Sequence, residues 1–143
     1  MNQSANPYHS NQVVTASAEQ ILLMLYDGAI RFVRQAGQAI RADRKGDKAV
    51  AIGKAMAIVC EFSNTLDYRA GGALAEDLGR LYAFILRELA AVNAHGDERR
   101  LHPVETILLE LREGFAGAVQ SQREAAPAHA AADGAARRVV ATF

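Results

Sequence analysis

The segment that most constrains this chain is Ser17-Ala18-Glu19-Gln20 followed by the unbroken apolar run Ile21-Leu22-Leu23-Met24-Leu25-Tyr26. Ser17 is placed to cap the free amides of a first helical turn. Gln20, three positions on, can reach back to the cap's own amide, which makes a capping box. The run that follows offers no polar face, so an ordinary surface helix is excluded. This helix must be covered on more than one side, by its own chain or by a partner.

The rest of the chain reads as more helices. Half of the 143 residues are hydrophobic but only 6% are aromatic, a balance that suits packed helices better than sheets. The periodicity predicts helix one over 18–42. Lys45-Gly46-Asp47 breaks it, with Asp47 as cap of a second helix over 48–68, and Gly71-Gly72 closes that helix from beyond its C-terminus. A third helix is expected over 74–94, ended by Asn93 and His95-Gly96-Asp97. The fourth has its secure part from Pro103 to about Val119, with 97–101 as a separate or kinked first turn. The expected fold is all-α: an antiparallel up-and-down four-helix bundle with an N-terminal arm over 1–16, the bundle over 17–119 and an alanine-rich tail over 120–143 that holds a short fifth helix or stays frayed.

Placing side chains at about 100° per residue shows what the core uses and what is left over. The expected stripes are Leu22, Leu25, Tyr26, Ala29, Val33, Ala36 and Ile40 in helix one, and Ile52, Met56, Val59, Ser63 and Leu66 in helix two. In helix three they are Leu74, Leu78, Leu81, Tyr82, Ile85, Leu89 and Val92, and in helix four Val104, Ile107, Leu108, Leu111 and Phe115. Met24 falls opposite its stripe, Ile58 and Phe62 widen theirs to one side, Phe84 and Leu86 leave theirs on opposite sides, and Leu109 sits apart. One exposed apolar residue means nothing. A large off-stripe residue on each of three helices suggests an apolar groove for amphipathic partner helices.

Several chemistries lack their residues. His9, His95, His102 and His129 have no metal spacing with Cys60 or paired carboxylates, so no metal site, cofactor or enzymatic activity is expected. A phosphorelay bundle needs an exposed histidine in mid-helix, and none lies securely there. Cys60 is the only cysteine and is expected as a buried, inert thiol in a reducing compartment. Acidic and basic residues balance at 16 each, without the basic excess that phosphates demand. The N-terminal residues do not read as a signal peptide and no apolar run approaches the roughly 20 residues of a membrane span, so a cytoplasmic location is expected.

Tyr8, Val13 and Thr15-Ala16-Ser17, then Leu25-Tyr26-Asp27-Gly28-Ala29, then Leu66-Asp67, Gly71-Gly72 and Leu81-Tyr82, followed by Ala91 to Asp97 and Leu108 to Phe115, resemble the FliS family of flagellar export chaperones. The resemblance covers about residues 8–119. The sequence departs from it at Ala18, where the family often has proline, at Phe115, where tryptophan is common, and at Pro103. The resemblance implies a cytoplasmic chaperone that binds the disordered C-terminal segment of flagellin, blocks premature polymerisation and aids delivery to the export gate, with FlhA as receptor component. It also implies that the arm occupies part of the flagellin surface. The partner-binding residues expected on this combined basis are Tyr8, Val13, Met24, Tyr26, Ile58, Phe62, Tyr82, Phe84 and Leu86. The alternative is a structural bundle that homodimerises through the same apolar surface.

Overall fold

The computed structural model describes residues 17–125. The expected arm and most of the expected tail, with Tyr8 and Val13, lie outside these residues. The described chain forms α1 (Ala18–Arg41), α2 (Lys45–Asn64), α3 (Tyr68–His95), a 3₁₀ turn (Glu98–Arg100) and α4 (Leu101–Ala125), with no strand among the described residues.

The helices are antiparallel neighbours around a square. Gly28 faces Ile58 and Lys54 lies over the Phe32 ring, so α2 runs down as α1 runs up. Lys48 reaches the Asn93 carbonyl while Phe62 meets Tyr82, which reverses α3 against α2. Arg34 pairs with Glu105 and Asp27 with Arg112, which sets α4 antiparallel to α1. Arg100 pairs with Glu88 where α4 begins and α3 ends.

The capping box forms as expected: the Ser17 hydroxyl accepts from the Gln20 amide at 3.1 Å, and the Gln20 side chain accepts from the Ser17 amide at 3.0 Å. The first break falls elsewhere than predicted. α1 ends at Arg41, and the reversal is made by Asp43 at φ 55°, a conformation aspartate tolerates through its short polar side chain. Lys45-Gly46-Asp47 is therefore the first turn of α2, and Asp47 contributes its charge there instead of capping.

The second junction is also corrected. α2 stops at Asn64, and Asp67 caps α3 by accepting from the amides of Arg69 and Ala70. Gly71-Gly72 does not close α2. It sits in the first turns of α3, where Gly72 (φ 53°, ψ −131°) kinks the helix. Beyond the kink, Gly79 leaves room for Tyr68, whose hydroxyl oxygen lies 2.6 Å from where a Cβ would stand. The third junction matches expectation: Gly96 takes φ 70° and its amide donates to the Val92 carbonyl. Pro103 is absorbed in the first turn of α4, where a missing amide costs little, and α4 continues past the expected end near Val119 to Ala125.

Tyr26 and Phe62 stack at the centre of the core with ring centroids 4.3 Å apart. Phe115 lies 5.6 Å from Tyr26, and Tyr82 lies 5.6 Å from Phe62, so all four helices contribute a ring. The buried side of α2 is Ala51, Ile52, Ala55, Val59 and Phe62. Phe62, expected at the edge, is only 2% exposed. The expected stripe was rotated because Ala51 and Ala55 carry little hydropathy yet are buried. Leu74, expected in the core, is 51% exposed because it follows the Gly72 kink at the end of the bundle. Cys60, expected buried, is exposed on α2.

Candidate functional site

The apolar side chains left outside the core collect along the seams between helices. On the outer part of α1, Met24 is 66% exposed and Ile21 48% exposed, just after the Ser17 cap. One turn beyond Met24, Gly28 presents no side chain. The Ile58 Cδ1 atom approaches to 3.4 Å from its virtual Cβ, so Ile58 is seated in a notch and stays half-buried. Further along, two cations approach the Phe32 ring, the Arg31 guanidinium at 5.1 Å and the Lys54 ammonium at 5.4 Å from its centroid.

The α3–α4 seam holds an open apolar depression of about 560 Å³ lined by Asp77, Arg80, Leu81, Phe84 and Ile107. Leu81, Phe84 and Ile107 are half-buried, and Phe84 and Ile107 pack against the core. Asp77 and Arg80, one turn apart on α3, pair with each other at its rim. Exposed Leu74 extends α3's apolar edge one turn beyond Asp77.

The α1–α4 seam is different in character. A second depression of about 510 Å³ is lined by Asp27, Ile30, Arg31, Arg34, Gln35, Gln38 and Leu109. Two cross-helix ion pairs hold it: Arg34 to Glu105 at 2.8 Å and Arg112 to Asp27 at 2.9 Å. Such exposed pairs fix register more than they add stability.

The expected partner-binding residues do not converge on one point. Ile58 lies on the α1–α2 seam, Met24 is exposed on α1 opposite its core face, and Phe84 lies on the α3–α4 seam. Leu86 is half-buried on the opposite flank of α3 from Phe84. Tyr26, Phe62 and Tyr82 are core residues behind these surfaces. The two tyrosine hydroxyls meet at 2.6 Å. Burial pushes both phenols above their ordinary value near 10, Tyr82 to about 12 with the Tyr26 hydrogen bond opposing, and Tyr26 further with Tyr82 adding to the effect. The wheel missed Ile21 as a surface residue, and it placed Leu81 and Ile107 in the stripe when they stand at its edge. Their angular offset from the stripe centre was the available signal.

Among the described residues, no group of His, Cys, Asp and Glu side chains is arranged to hold a metal ion, and no helix is long and apolar enough to cross a membrane. What the seams can do is bury apolar side chains of another polypeptide.

Comparison with known proteins points the same way. The family model described as "FliS: Flagellar protein FliS" matches residues 1–122. The chain is 33% identical over 117 residues to the flagellar secretion chaperone FliS of Bacillus subtilis, a match covering 82% of this chain and 86% of that one. It is 32% identical over 106 residues to the flagellar secretion chaperone FliSB of Pseudomonas aeruginosa, covering 74% and 84%. A third relative, the flagellar secretion chaperone FliS of Campylobacter jejuni, is 32% identical over 114 residues, covering 80% and 89%.

Proposed function

The chain belongs to the FliS family of flagellar proteins, and from that membership we propose that this flagellar export chaperone binds the disordered C-terminal segment of flagellin in the cytoplasm. Binding would keep flagellin from polymerising early and deliver it to the export gate, where FlhA is the receptor component. One observation carries the reading beyond family membership. Among the described residues, a bundle with a packed core still leaves Met24, Ile58, Phe84, Leu81 and Ile107 partly or largely exposed on separate parts of its surface.

Dispersed apolar sites suit a client that wraps. A filament-forming helix exposes an apolar stripe that would otherwise self-associate. A disordered segment loses conformational entropy on ordering, and contacts spread around the bundle must offset that loss. Tyr8 and Val13 would cover part of the same surface before the client arrives. Tyr26, Phe62 and Tyr82 would act from behind, by fixing the positions of the seams they support.

The test is substitution at the surface. Met24→Asp and Phe84→Ser should each weaken flagellin binding tenfold or more in calorimetry, about 1.4 kcal/mol. Met24→Asp should leave the melting temperature close to that of the parent, because that side chain is mostly in solvent. Unchanged affinity in both variants would remove these surfaces from the site.

A further inference from the structure

Two cations meet at the Phe32 ring, Arg31 from α1 and Lys54 from α2. Among the described residues neither is ion-paired. Across the α1–α4 seam, by contrast, Arg34 and Arg112 each meet an acid. Arg31 and Lys54 both lie within 5.4 Å of one ring centroid. They therefore stand no further apart than about 10 Å, the Debye length at 0.1 M salt, and their repulsion is only partly screened. A carboxylate placed near both relieves it.

The surface running away from these cations is apolar. Ile21, Leu25, Gly28 and Phe32 fall within about 60° of one another on α1 at helical spacing. That line faces α2, because Gly28 meets Ile58 and Phe32 meets Lys54. Ile21 is largely exposed, and Leu25, Phe32 and Ile58 are half-buried. From Ile21 to Phe32 the line rises about 16 Å, or about three helical turns. Exposed Glu61, one turn after Ile58, ends the seam at the level of Leu25 with a negative charge.

This pattern selects its occupant. A wholly apolar helix laid here takes water from two cations and gives nothing in return. A helix with acids along its whole edge meets Glu61. The match is a helix about three turns long, with an apolar stripe and with carboxylates beside that stripe at one end only. We propose that the α1–α2 seam seats such a helix of the client, its carboxylates against Arg31 and Lys54. The proposal rests on the flagellin reading above and adds to it a charge requirement on one side of the bundle.

The test is calorimetric titration with full-length flagellin at low and at high salt. Arg31→Glu with Lys54→Glu is compared with Arg87→Glu and Arg123→Glu, an equal change of charge at exposed, unpaired arginines on α3 and α4. The milder pair Arg31→Gln with Lys54→Gln guards against misfolding. The first pair should lose affinity about tenfold or more at low salt and lose most of the parent's salt dependence. The glutamine pair should show a smaller loss of the same kind, and the α3–α4 pair should stay within about twofold of the parent. Parent-like affinity in both seam pairs, or an equal loss in the α3–α4 pair, would overturn the charge requirement while leaving the flagellin reading standing. Absence of binding by the parent itself would overturn both.

Discussion

Tyr26, Phe62 and Tyr82 show how a single side chain can be read correctly for its chemistry and incorrectly for its place. The helical spacing put Tyr26 and Tyr82 in the core, where they are. It put Phe62 at an edge, because Ala51 and Ala55 weigh little in a hydropathy count although both are buried. Phe62 stacks on Tyr26 at 4.3 Å and is nearly fully buried, so Phe62→Ala should cost about 3–5 kcal/mol in chemical denaturation. A loss well below 1 kcal/mol would return it to the surface. The tyrosine pair makes a second prediction. Both phenols have raised pKa values in the folded state, so the unfolded chain loses these protons first as pH rises. Their contribution is fully present below pH 10 and declines above it, as the unfolded-state phenols ionise. Denaturant midpoints should therefore fall above about pH 10 in the parent, and Tyr26→Phe with Tyr82→Phe should flatten that fall.

Helix ends divide into those set by local chemistry and those set by the surrounding fold. The Ser17–Gln20 box and the Gly96 terminus were legible because each needs only its own side chain or its own lack of one. Lys45-Gly46-Asp47 misled because Asp43, not a glycine, takes the left-handed turn. Gly71-Gly72 misled for a different reason. Asp67 restarts the helix before the glycines, and the chain spends Gly72 on a kink that lets Tyr68 fold back over Gly79. The two glycines should therefore differ. Gly72→Ala forces a side chain into φ 53°, ψ −131° and should cost about 1–3 kcal/mol. Gly71→Ala carries no such backbone strain and should be near neutral or mildly stabilising. Thermal melts of the two variants decide it, and equal effects would mean the kink relaxes.

The number of helices and their antiparallel order followed from periodicity and short connections. The seams did not, because a wheel gives the angle of each residue within its own helix but not which helix lies beside it. Ile58 and Phe84 were both recognisable as surplus, yet only the pairing of α1 with α2 and of α3 with α4 separates them onto different sides. That separation is what favours a wrapping, disordered client over a single docked domain. The central claim is that the spare seams hold the C-terminal segment of flagellin. The most direct measurement is calorimetric titration of this protein with full-length flagellin and with flagellin lacking that segment. A saturable one-to-one complex with the first and loss of binding with the second is the predicted result. Equal affinity for both would contradict the claim.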